Sequence, residues 1–157
     1  QTVVELIGLL SGLGGCNGMV TGQAIDLAAT GTALDLQQLK TMHAHKTGAL
    51  IEASVLMGAL ATAQVNPQQL AALKQFATAI GLAFQIQDDI LDVESSTEML
   101  GKQQGSDITN QKSTYTSILG LVEARSETTA LYQQSMQALD IFADKADSLR
   151  GIADFIV

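Results

Sequence analysis

Pro67 is the only proline in 157 residues, so almost nothing in the chain's own chemistry forces a helix to stop. Aromatic residues make up only 4%, while Ala, Leu and Gln abound, a balance that favours helices over strands. The expected fold class is all-α. With 46% hydrophobic residues, the chain has enough apolar material for one packed domain.

Helical periodicity divides the chain. Val3, Val4, Ile7 and Leu10 form one apolar stripe that stops at Gly14 and Gly15. Residues 18–29 form a second short helix ended by Gly31. Residues 35–64 read as helical almost throughout, with Leu36, Leu39, Met42 and Lys46 on one face and Gly48 at a bend. Asn66 can cap the next helix, with Pro67 in its first turn, where the missing N–H costs nothing. That helix runs through Leu70, Leu73, Phe76, Ile80, Phe84 and Ile90 to about Val93. Residues 94–114 read as a polar loop, residues 115–145 resume the helical pattern, and residues 148–155 make a last short helix.

The chemistry concentrates in FQIQDDILD. Gln85, Asp88, Asp89 and Asp92 share one helix face, since positions three, four and seven apart fall in one stripe. Like charges at this spacing destabilise a helix unless a cation neutralises them, and their neighbours Phe84, Ile86, Ile90 and Leu91 are apolar. The expectation is a helix buried all round except for an acidic stripe facing a cavity. Hard carboxylate oxygens suit Mg2+, with Mn2+ as the alternative, and such ions complete their shell with water and phosphate oxygens. A solvated helix face is the competing structural reading of the acidic pair.

The chain carries 16 acidic and 8 basic residues, a net charge of −8, with no basic patch for nucleic acid. It could still hold an anion through a divalent cation and a few lysines. Lys46 and Thr47 lie in the apolar run HAHKTGAL, and Lys102 and Lys112 follow the aspartates. Gln23 and Asp26 stand one turn apart in GQAIDL, where Asp26 could hold a lysine, with a helix cap as the structural alternative. His43 and His45, two residues apart, face different sides of a helix and read as surface or packing residues. Met42, Met57 and Met136 read as core fillers. Cys16 is alone, which fits a reducing compartment, and the cytoplasm is the expected location. The apolar stretch at 49–65 is interrupted and short, so no membrane span is expected. The first residues enter a helix without a cap ahead of them, as a piece of a longer chain would.

GQAIDL, HAHKTGAL, FQIQDDILD, LGKQQGSD and QKSTY, in this order and spacing, resemble the trans-isoprenyl diphosphate synthases, most closely the bacterial farnesyl (geranyltrans) type. The resemblance runs over essentially the whole chain. It implies an antiparallel helical bundle of the isoprenoid synthase type, incomplete at the N-terminus, with residues 1–157 the C-terminal part of a single domain. It further implies a homodimer and a magnesium-dependent head-to-tail condensation of an allylic diphosphate with isopentenyl diphosphate, giving farnesyl diphosphate. DDILD resembles the family's second aspartate-rich motif. Asp88 would then ligate magnesium directly and Asp89 and Asp92 partly through water. Lys46 and Lys102 would contact the diphosphate, and Thr47 and Gln85 would lie beside the reacting carbons. Lys112 and Asp107 would support a closing loop. The family's first aspartate-rich motif and the arginine pair after it are not in these residues, so the 157-residue chain is expected to be inactive alone. Two other readings stand beside this one, a non-catalytic helical partner subunit of a prenyltransferase and a class I terpene cyclase.

Overall fold

The computed structural model describes residues 2–62, 64–100 and 113–157, with the backbone alone at 96–100. Among these residues there is no strand, and the helices pack as an antiparallel bundle, as composition leads one to expect. In order they are α1 (Thr2–Gly14), α2 (Met19–Ala28) and α3 (Leu36–His43), then a π-helical turn (Ala44–Gly48) leading directly into α4 (Ala49–Ala61). Next come α5 (Pro67–Leu100), α6 (Tyr115–Leu119), α7 (Leu121–Ala138), a 3₁₀ segment (Asp140–Ala146) and α8 (Asp147–Ile156).

Local chemistry explains most of the boundaries. Asp35 caps α3 by accepting from Gln38 N, while the Gln38 side chain returns to Asp35 N. Asn66 and Gln69 form the same reciprocal pair ahead of α5, with Pro67 at its first position. Thr114 and Ser117 repeat it at α6. Three of the helix starts thus satisfy amide groups that would otherwise be orphaned.

α5 is the central rod. It packs chiefly on α7, with α4 against another side and α1 outside α4. Leu73, Phe76, Ile80 and Ala83 belong to one core cluster with Leu56, Leu139, Ala146 and Ala153. Ile86 and Ile90 belong to a second with Leu39, Met42, Tyr115 and Ala124. The buried spacing of three and four residues is what fixes which face of α5 turns inward. Each large apolar side chain buried this way contributes about 1.5–3 kcal/mol.

Four expectations need correction. First, α5 does not stop near Val93 but continues to Leu100, so the polar run begins inside a helix. Glu94 pairs with Arg125 of α7, which ties this continuation to the bundle. Second, the helical pattern over 115–145 is broken at Gly120, whose φ of 86° closes α6 and opens α7, and it tightens to 3₁₀ geometry after Leu139. Third, α5 is not buried all round outside its acidic stripe, because Phe84, Leu91 and Val93 are exposed. Fourth, although the apolar run at 49–65 is too short, a stretch long and apolar enough to cross a membrane, by length and composition only, does occur among the described residues, at Thr2–Ala28. That stretch turns at Gly15 to Gly18 and is thus two helices, with Val3, Val4, Ile7 and Leu10 exposed.

Ala143 is the one described non-glycine residue at positive φ, with φ 47° and ψ −137°. A Cβ is strained in that region. Arg150 holds the conformation by donating to Ala143 O at 2.7 Å and Leu139 O at 3.0 Å. Ala143→Gly is expected to relieve the strain and raise the unfolding free energy by about 1 kcal/mol, read from urea denaturation midpoints.

Candidate functional site

A cavity of about 280 Å³ opens between α2, α3, the π turn, α5 and the start of α6. Asp26, His43, Lys46, Asp89, Asp92, Ser113 and Thr114 contribute its polar lining. Three carboxylates therefore face a space with one ammonium, and the surplus of negative charge calls for a bound cation.

The π turn explains how Lys46 gets there. One extra residue in the turn bulges the backbone, a feature common at functional sites. Lys46 Nζ reaches Asp26 Oδ2 at 2.6 Å. The Asp26 side chain is only 12% exposed, so the pair is partly desolvated and each charge holds the other in place. Lys46 also borders a second, apolar cavity of about 540 Å³, lined by Thr47, Leu50, Phe76, Ile80, Phe84 and Ile152 among others. The lysine stands where a polar space and an oily one meet.

Asp89 is placed by α6. Its Oδ2 accepts from Tyr115 N at 2.6 Å, and the wholly buried Tyr115 ring packs on His43 with centroids 5.4 Å apart. Ser113 Oγ accepts from Leu34 N at 2.8 Å, tying the segment before α6 to the loop before α3. Burial raises the Asp89 carboxyl from 3.8 to about 6; the Tyr115 N–H opposes this, while Asp88 and Asp92 push it further up. Because the folded value lies above the unfolded one, the folded chain keeps a proton between about pH 4 and 6 that the unfolded chain has lost. This residue's contribution to stability is therefore present at low pH and lost as pH rises through about 6. With divalent cations chelated, Asp89→Asn should lose less melting temperature than the parent between pH 4 and 7. Equal slopes in the two chains would contradict that assignment.

The donor set fits magnesium: carboxylates and hydroxyls, the hard oxygens that ion prefers, facing an excess of negative charge. Among the described residues no three His, Cys, Asp or Glu side chains converge to hold a metal unaided. Magnesium commonly leaves several positions to water and phosphate.

The structure brings Asp26, Lys46, Asp89 and Asp92 around one cavity. Asp88 is exposed beside it, and Gln85 is half-buried. Thr47 lines the apolar cavity, whereas Gln23 is exposed and lines neither. Lys102, Asp107 and Lys112 lie outside the described residues. Sequence reasoning overlooked His43, a cavity residue as well as a packing one, although it sits three residues before Lys46 and so shares its face. It also gave no role to Ser113 and Tyr115, whose contacts span 79 and 26 residues of chain.

Residues 5–149 match the family model described as Polyprenyl synthetase. The chain is 43% identical to the farnesyl diphosphate synthase of Escherichia coli (strain K12), over 98% of this chain and 52% of that protein. It is 38% identical to the chloroplastic geranylgeranyl pyrophosphate synthase of Catharanthus roseus, over 99% of this chain and 44% of that one. Among solved structures it resembles an FPP/GFPP synthase from Zymomonas mobilis, with a TM-score of 0.84, 40% identity and coverage of 99% and 51%. It also resembles a geranyltransferase from Helicobacter pylori complexed with magnesium and isoprenyl diphosphate, with a TM-score of 0.77, 34% identity and coverage of 99% and 50%. The chain thus spans about half the length of the relatives it matches. On the match over residues 5–149 and these likenesses, it belongs to the polyprenyl synthetase family.

Proposed function

We propose that this chain is the C-terminal part of a single isoprenoid synthase domain. The whole enzyme would join an allylic diphosphate head to tail with isopentenyl diphosphate, with farnesyl diphosphate as product. The observation that carries this reading is the position of Lys46 at the junction of the acidic cavity and the apolar one. An amphipathic anion fits such a junction, with its diphosphate on the polar side and its hydrocarbon on the other.

Magnesium, when bound, would neutralise the diphosphate and stabilise it as a leaving group. Asp88, Asp89 and Asp92 would hold it, with Asp89 oriented by the Tyr115 N–H. Lys46 donates to the diphosphate oxygens and takes up part of the charge that develops as the C–O bond breaks. Asp26 keeps the ammonium in register. Phe76, Ile80, Phe84 and Leu50 exclude water from the side where the allylic carbons would sit. Thr47 faces that same space, consistent with a place beside the reacting carbons. Lys102 and Lys112 would add cations to the diphosphate, with Asp107 supporting them.

The 157 residues supply one carboxylate cluster and one side of the substrate space, so chain elongation by this polypeptide alone is not expected. The apolar residues exposed on α1 support association with a second copy, as in a homodimer, and sedimentation at dilute concentration reads it directly. The decisive experiment is calorimetric titration of the chain with magnesium and inorganic diphosphate together. Heat that appears only when both are present supports the reading, and a flat titration with the folded chain refutes it.

A further inference from the structure

Gly22 lies within α2 and is buried. A Cβ added there would stand 2.1 Å from Lys46 N, 2.4 Å from Lys46 Cα and 2.7 Å from His45 C. These are backbone atoms that cannot rotate aside. The helix α2 therefore rests on the π turn main chain to main chain, a contact that only glycine permits. Asp26 lies four residues on, on the same face of α2, and reaches Lys46 Nζ at 2.6 Å. Across the turn the fit is looser, since a Cβ on Gly81 of α5 would find Gly48 Cα and Ile51 Cδ1 both at 3.4 Å, ordinary contact. The tight seat on Lys46 is Gly22.

We infer that Gly22 is a positioning residue for Lys46: its close seat on the π turn sets where the ammonium stands between the two cavities, and brings Asp26 into reach of it. The main chain at Lys46 carries a charged side chain that must meet both Asp26 and a ligand within a few tenths of an ångström. Any side chain at position 22 would push α2 away by more than the length of play in that hydrogen bond. In part this rests on the reading that the polar cavity takes a diphosphate.

The test compares Gly22→Ala and Gly22→Ser with Gly12→Ala, where an added Cβ meets nothing within 4 Å. Far-ultraviolet circular dichroism and urea midpoints report the fold. The NMR signal of the Lys46 side chain, measured with and without Asp26→Asn, reports the ion pair independently of any ligand. Inorganic diphosphate with magnesium reports the site. In the folded Gly22 variants, Asp26→Asn is expected to leave the Lys46 signal unchanged, and diphosphate affinity to fall roughly tenfold or more. Gly12→Ala should match the parent in both. Folded Gly22 variants that keep the Asp26-dependent signal overturn the inference. So does loss of helical content in both, which would make Gly22 a packing residue only. If the parent chain binds no diphosphate, the reading of the cavity fails, while the Lys46 signal still decides the role of Gly22.

Discussion

A Lys46→Ala chain is expected to bind magnesium and diphosphate roughly ten- to a hundredfold more weakly than the parent, the loss of one charge-assisted hydrogen bond to a poorly solvated anion. The same change strips Asp26 of its 2.6 Å partner and leaves a carboxylate that is only 12% exposed beside Asp89 and Asp92. Stability should fall as well, by about 1–3 kcal/mol, because taking the ammonium away from a carboxylate in a partly desolvated site costs more than the pair contributed. Adding Asp26→Asn should restore much of the stability and none of the affinity. Calorimetry and urea denaturation on the same three chains separate the two effects. Unaltered diphosphate binding by Lys46→Ala would remove the lysine from the site.

Ile86→Ala should have the largest effect on folding, about 2–5 kcal/mol by denaturant titration. Ile86 has no exposed surface and lies in the cluster with Leu39, Met42, Ile90, Tyr115 and Ala124. A cavity there opens beneath the contact between α5 and α6, three residues before Asp89. Truncation should therefore also loosen Tyr115 N from Asp89 Oδ2, now 2.6 Å apart, and weaken magnesium uptake with the stability loss. Ile86→Val, which removes one methyl group, should cost about 0.5–1.5 kcal/mol and leave that uptake nearly intact.

The bundle was legible in the sequence because its signals are local. Pro67, the cap at Asn66, and the spacing of Leu73, Phe76 and Ile80 act within one or two turns. That Asp26 could hold a lysine was legible too, but which lysine depends on the π turn that brings Lys46 to it. What stayed hidden depends on distant contacts. Glu94 carries α5 onward because Arg125 of α7 is opposite, and nothing near Val93 announces it. His43 borders the cavity because the end of α3 meets α6 there, a contact between residues far apart in the chain that no local pattern announces. The exposed Phe84, Leu91 and Val93 carry the same apolar signature as their buried neighbours. Periodicity says which residues share a face, not whether another element covers it.

The π turn also changes the phase of the rod it interrupts. Leu39, Met42, Ala49, Ala53 and Leu56 keep a three-and-four spacing that would form one straight stripe on an unbroken helix. One extra residue per turn advances everything after it by about 100°. The stripe therefore points one way before the turn, with Leu39 and Met42 in one cluster, and another way after it, with Leu56 in the other. Wound as ordinary α-helix with no residue removed, Ala44–Gly48 would give a straight rod with both halves aimed in one direction. The wedge of backbone that places Lys46 is thus also the joint that lets one helical run serve two cores.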